Sequence, residues 1–385
     1  MDMEYDLVFE GGGAKGLAFV GALQAFERHG HHPRRLIGSS AGSITACLIA
    51  AGYNSQENLA AINEKTPDGR PRFTSFMDTP TIYDDAIVRD QLGYWLRTEL
   101  DNPAVPNLIE PFVDSLIESM IRRDLFRHVI SLFLWGGWYA GDAFISWLRE
   151  KLDAGGRDLS SSTLTEFNQK TRRDLSVVAS DLTGNEMLVL NHRTAPTLPT
   201  VWAVRMSMGC PFAWQEVSWK EEWGTYRGRN MVGHRVVDGG LLSNFPIHLF
   251  VADDENIDAI MGEGTQSENV IGLLIDESLE VPGAGAPPSR GLSAPGMLER
   301  VDLLEAMVLR IHGLAETVLS AHDKAMLSAY KHLICRLPAM GIGTMEFDMA
   351  PQRMQAVMQA GEAAMEAFLS GDHPAPPPSI EFARV

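Results

Sequence analysis

The 385-residue chain carries 32 Lys and Arg against 50 Asp and Glu, a formal net charge of −18, and 45 % of its residues are hydrophobic. Such a composition supports a packed core and excludes a disordered or fibrous chain, and the acidic surplus repels phosphate backbones, so no nucleic acid is expected as a partner. The sequence nowhere holds the ~18 uninterrupted apolar residues of a membrane-spanning helix, and its acidic start is no signal-peptide lead, so any membrane contact is expected at the surface.

Residues 5–10 are apolar and β-compatible and run into Gly11-Gly12-Gly13-Ala14-Lys15-Gly16, after which 17–29 follows a helical pattern. A second short strand at 36–38 leads through Ser39-Ser40-Ala41-Gly42 into a small-residue helix over 43–51, stopped at Gly52. Two successive strand–turn–helix units predict a parallel sheet covered by helices. From about 73 to 152 the character changes to aromatic-rich helix, which predicts a helical insertion. Ile109, Phe112, Val113, Leu116, Ile117, Met120 and Ile121 recur there at helical spacing, and Leu132-Phe133-Leu134-Trp135 follows. Gly141-Asp142 is expected to cap the next helix.

Further strands are predicted at 175–180, 187–190, 236–238, 271–275 and 333–336. Residues 281–296 form a Gly/Pro-rich loop, 297–370 a helical C-terminal extension and 371–385 a Pro-rich tail. The apolar face within 297–332 is wide enough to pair with a second copy, so a homodimer is an open expectation. Cys47, Cys210 and Cys335 lie far apart with no C-x-x-C pair, which fits a reduced, cytoplasmic-type compartment.

Gly38-Ser39-Ser40-Ala41-Gly42 matches G-x-S-x-G, a turn that forces a serine onto a tight strand-to-helix bend so that its hydroxyl projects from the sheet. Gly11, Gly12 and Gly13 offer backbone N–H groups at the start of a helix, where the dipole favours a phosphate or an oxyanion. Gly11, Gly13 and Gly16 also fit G-x-G-x-x-G, but the acidic residue that a dinucleotide site needs at the end of the second strand is replaced by Gly38-Ser39-Ser40. Nor is it a Walker loop, because Gly16 and Leu17 follow Lys15. A serine nucleophile needs a base, and the strand-like Arg235-Val236-Val237 ends in Asp238-Gly239-Gly240. Asp238 with a later histidine, His248, His312, His322 or His332, is the competing reading, in the chain order of α/β-hydrolases.

Taken in order, these three motifs resemble the patatin-like phospholipase family over roughly 7–246, together with Ala179-Ser180-Asp181-Leu182-Thr183-Gly184, Arg205-Met206-Ser207-Met208-Gly209-Cys210-Pro211 and Asn244-Phe245-Pro246. The resemblance implies a three-layer α/β/α fold, with a catalytic domain over 1–280 carrying the insertion. It implies a Ser–Asp dyad in which Ser40 is acylated by a lipid ester and Asp238 is the base, with an oxyanion hole at Gly11, Gly12 and Gly13. Lys15 fills the position where the family has Arg or Lys, and Gly16, Gly38, Gly42, Gly239 and Gly240 support the motifs.

The expected activity is hydrolysis of phospholipids or lysophospholipids without a cofactor or metal, since His31-His32 and Asp253-Asp254-Glu255 lack ligand spacing. Transacylation, neutral-lipid hydrolysis and non-catalytic lipid or nucleotide binding stay open as alternatives. Because patatin-like enzymes include regulated bacterial effectors, an activating protein or small ligand, and delivery to another compartment or cell, are open expectations too. The insertion is read as a lid or lipid entrance, because a charge of −18 does not draw the protein to anionic membranes.

Overall fold

The computed structural model describes residues 3–81, 124–262, 267, 269–285, 330–344 and 346–371. The apolar stripe at 109–121, the helical region 297–329 and the Pro-rich tail fall outside the described residues, as do His312 and His322.

Twelve described strands are β1 (Glu4–Phe9), β2 (His32–Ser39), β3 (Gly137–Tyr139), β4 (Asp174–Asp181), β5 (Glu186–Leu190), β6 (Phe212–Trp214), β7 (Val217–Ser218), β8 (Thr225–Tyr226), β9 (Arg229–Asn230), β10 (Arg235–Asp238), β11 (Val270–Glu280) and β12 (Ile334–Met340). The α-helices are α1 (Leu17–Arg28), α2 (Ala41–Ala50), α3 (Ser55–Ile62), α4 (Asp124–Trp135), α5 (Asp142–Asp153), α6 (Leu164–Thr171), α7 (Thr200–Ser207), α8 (His248–Val251), α9 (Glu255–Met261) and α10 (Pro351–Leu369). Eight strands form one sheet in the order β12-β11-β1-β2-β4-β10-β7, with β5 also on β4. From β12 to β4 the pairing is parallel.

The central strands are buried on both faces, which is why they read as continuous apolar runs. Leu7, Phe9, Leu36, Val177 and Ala179 face the larger core with α1, α2, α5 and α10. Val8, Ile37 and Val178 face the opposite core, where Phe245, Ile247, Phe250 and Met261 cover them. Two cores separated by one sheet make three layers. The chain after β11 returns to this architecture: β12 pairs in parallel with β11, and α10 lies on α1, where Arg28 reaches Glu362 and Glu366 at 2.6 Å each.

Helix α5 starts differently from the sequence expectation. Gly141, at φ 80°, is its N-cap residue, but the orphan N–H groups of Gly141 and Ala143 are taken by Asp78, at 2.6 and 2.9 Å. A carboxylate from a remote loop thus does the capping, and burial together with Asp78 raises the Asp142 carboxyl above its usual range.

Candidate active site

Two strands deliver the Ser40 and Asp238 side chains to one edge of β4 from opposite directions. β2 runs parallel to β4 with Ser39 opposite Val178, and β10 runs antiparallel to it with Asp238 opposite Ala179. β5 holds the other edge of β4 from Val177 to Asp181, so β2 and β10 share one lane and meet head to head. A separation of 198 positions closes to a hydrogen bond in which Ser40 Oγ–H donates to Asp238 Oδ2 at 2.8 Å.

Ser40 caps α2 with φ 50° and ψ −127°, a conformation that costs a non-glycine residue about 1–3 kcal/mol. The surroundings hold it there. Its N–H donates to Ser207 Oγ at 3.1 Å, and its carbonyl accepts from Ser43 N–H at 3.0 Å and Ser43 Oγ–H at 2.6 Å. The turn closes so tightly that a Cβ on Gly42 would stand 2.4 Å from the Phe9 carbonyl oxygen, and one on Gly38 would stand 2.4 Å from the Gly42 backbone. The positive end of the α2 dipole points at the serine, which favours a developing alkoxide.

Asp238 is only 6 % exposed. Its Oδ1 accepts the Gly240 N–H at 2.8 Å, which leaves Oδ2 facing Ser40, and its own N–H donates to the Gly209 carbonyl at 3.0 Å. Gly239 runs against the Val178 carbonyl, letting the turn close on β4. The acceptor of the Ser40 hydroxyl is thus a carboxylate and not a histidine.

The glycine loop lies directly over the serine: a Cβ on Gly11 would come within 2.8 Å of Ser40 Cβ. The Gly11 N–H donates to the Asn244 carbonyl at 3.2 Å, and the Asn244 side-chain amide donates back to the Gly11 carbonyl at 3.0 Å. The same amide reaches Glu10 Oε1 at 3.3 Å, while Glu10 Oε2 accepts from Ile275 N–H at 2.6 Å. Ala14 N–H donates to Thr344 O at 2.8 Å, and the buried Lys15 ammonium pairs with Glu277. Gly16 is the N-cap of α1. Among the described residues the N–H groups of Gly12 and Gly13 meet no acceptor, so these two, rather than Gly11, are the donors the loop leaves available.

Ser207, Asn244, Glu10 and Thr344 are structural participants to which the sequence reading gave no role. Ser207 and Asn244 sit in segments that carried the resemblance, whereas Thr344 has no sequence signal, since it acts through its backbone carbonyl. Arg205, on the same helix as Ser207, is fully buried and donates to the carbonyls of Ala140 and Gln215, each at 2.9 Å; burial pushes its guanidinium down to about 10.

The sequence model of the patatin-like phospholipase family matches residues 7–251. The protein YqhO of Bacillus subtilis is 28 % identical over 374 residues, covering 95 % of this chain and 98 % of its own length. An NTE family protein of Mycobacterium tuberculosis is 24 % identical over 94 % of this chain, which spans 46 % of that longer protein. Among solved structures, VipD from Legionella pneumophila aligns with a TM-score of 0.48 at 16 % identity, covering 96 % of this chain and 67 % of its own.

Proposed function

We propose that this chain, which belongs to the patatin-like phospholipase family, is a lipid acyl hydrolase that works through an acyl-serine on a Ser40–Asp238 dyad. The observation that carries the reading is the 2.8 Å hydrogen bond from Ser40 Oγ to a buried carboxylate, made at a strained turn beneath a glycine loop with two free N–H donors. Ser40 Oγ attacks the ester carbonyl while its proton passes to Asp238 Oδ2. The oxygen that gains charge is held by Gly12 and Gly13 N–H, and the leaving alcohol takes the proton from Asp238. Water then attacks the acyl-serine with Asp238 as base, and the fatty acid leaves with Ser40 restored.

A carboxylate, with an ordinary pKa near 4, is a weak base for a hydroxyl. The dyad therefore depends on excluding water and on meeting the oxyanion as it forms, an effect worth about 10²–10³ in rate per donor. The small exposure of Asp238 and the close cover of Gly11 support that condition. The family acts on lipid substrates, and the apolar surface here suits them: Phe133 is 82 % exposed at the end of α4, and Phe212 and Leu242 also stand in solvent. Phe212 pairs with Gly137 just beyond α4, and Leu242 lies in the turn that follows Asp238. Among the described residues no helix is long and apolar enough to cross a membrane, so the reading is of a protein that meets lipid at a surface.

The test is labelling with a fluorophosphonate probe and turnover of short-chain and phospholipid esters by purified protein. Wild type is expected to label at Ser40. Ser40→Ala and Asp238→Asn are expected to lose about 10⁴-fold or more in kcat, with folding intact. Wild-type turnover in Ser40→Ala would refute the dyad. Phe133→Glu is expected to weaken co-sedimentation with liposomes while leaving hydrolysis of soluble esters alone.

A further inference from the structure

The glycine loop is fastened at three places, and two of the fasteners lie beyond residue 251, where the family match ends. Asn244 holds Gly11, but Glu277 on β11 holds Lys15, and the Thr344 carbonyl holds the Ala14 N–H at 2.8 Å. Thr344 belongs to a short turn between β12 and α10. The turn packs so closely on the loop that a Cβ on Gly13, whose φ is 57°, would stand 2.2 Å from the Thr344 oxygen. The placement of the two free donors, Gly12 and Gly13, thus depends on where this turn sits.

The turn is held by a buried ion pair. Arg353 in α10 donates from Nε to Glu346 Oε1 at 2.6 Å and from Nη2 to Oε2 at 3.2 Å, and both side chains are less than one-tenth exposed. The remaining Arg353 hydrogens reach the carbonyl of Ala284, at 2.7 Å, where the chain leaves β11, and the carbonyl of Gly341, where it leaves β12. Glu346 in turn accepts the Gly343 N–H at 2.9 Å. One guanidinium therefore joins the ends of two strands and the turn between β12 and α10, and a planar fork is the group that satisfies so many acceptors at once. Phe347, next to Glu346, stacks on Phe73 with ring centroids 5.3 Å apart.

We propose that Arg353 is a positioning residue for acyl transfer: through Glu346 it fixes the turn whose Thr344 carbonyl orients Ala14, and so sets the Gly12 and Gly13 N–H groups over Ser40. The inference rests on the proposed acyl-serine reading. It makes the C-terminal β12–α10 unit part of the catalytic apparatus, although every reacting group lies before residue 251.

The experiment compares wild type with Arg353→Lys and with the double variant Arg353→Met/Glu346→Leu. Removing both partners avoids stranding a buried charge, which a single substitution would do. Circular dichroism and a cooperative melt establish that each is folded. Hydrogen exchange of a peptide spanning 10–20 follows the Ala14 amide, and ester kinetics follow kcat and KM. The double variant is expected to exchange the Ala14 amide at least ~10-fold faster, because its acceptor is no longer held, and to lose about 10²-fold in kcat. Its KM is expected to stay within about threefold of wild type, because the groups that bind the acyl chain are untouched. Arg353→Lys, which can still reach Glu346 but lacks the fork, is expected to fall between the two.

A folded double variant with wild-type kcat, or with unchanged Ala14 protection, overturns the proposal. Failure of the parent reading looks different. Wild type would then neither label with fluorophosphonate nor turn over esters, whatever the exchange of Ala14 shows.

Discussion

The molecule has two glycine turns facing each other, and they differ in how much of their hold comes from remote residues. The serine turn, Gly38 to Gly42, is closed largely by local contacts: its shape follows from the packing of Gly38 and Gly42 on each other and on the end of β1, and from bonds that Ser43 makes to Ser40, with Ser207 a remote partner of the Ser40 backbone. The loop at Gly11–Gly16 closes on itself through a single turn of 3-10 helix over Gly13–Gly16, with Lys15 N–H on the Gly12 carbonyl at 3.3 Å. Its position over the serine is fastened in addition by Asn244, Glu277 and Thr344, which are remote in sequence. A strained serine turn must be held still, and local close packing achieves that with few partners. N–H groups fastened from elsewhere can be moved by whatever moves their fasteners, so this half of the candidate site is the one open to adjustment.

The sharpest test of the contrast is on the serine itself. Ser40→Gly and Ser40→Ala are both expected to lose activity by about 10⁴-fold or more. They are expected to differ in stability, because only glycine relaxes φ 50° without cost. Ser40→Gly should therefore be more stable than Ser40→Ala by about 1–2 kcal/mol in urea unfolding. Equal midpoints would show that the turn stores no strain.

Next in size is Gly13→Ala, which places a methyl 2.2 Å from the Thr344 carbonyl at a position with φ 57°. The loop must shift, so kcat is expected to fall by about 10²–10³-fold, with a stability loss of about 1–3 kcal/mol. If activity survives while stability falls, the free N–H groups are not the oxyanion donors. The smallest effect is expected from Glu277→Gln. Its side chain is 63 % exposed while the Lys15 side chain is 5 % exposed, and the neutral amide still accepts from the buried ammonium, so kcat should change by less than about fivefold. A larger loss would show that the charge on Glu277, and not only an acceptor at that place, holds Lys15 and the loop.

Much of this was legible in the residues. Strands at 5–10, 175–180, 187–190, 236–238 and 271–275 announce themselves because strands covered on both faces are mostly apolar on both, with the few buried polar residues, such as Asp6, Ser180 and Asp238, among them. Ser40 and Asp238 are legible because their turns require small residues in fixed order, and the geometry of such a turn is local. Illegible were the partners acting through backbone or at long range: the Thr344 carbonyl carries no residue signature, and the Asp78 carboxylate caps a helix more than sixty positions away.

The sequence alone therefore determined which side chains are candidates for the proposed dyad and the kind of sheet that carries them, since both follow from periodicity and from turns of a few residues. Only the tertiary structure decided that Ser40 and Asp238 meet in one lane on β4, and that Gly12 and Gly13 rather than Gly11 keep free N–H groups. It also decided that a C-terminal strand and helix complete the loop. Those outcomes depend on strand register and on which carbonyl comes within reach of which amide, quantities that arise when distant segments pack and that no single stretch of residues encodes.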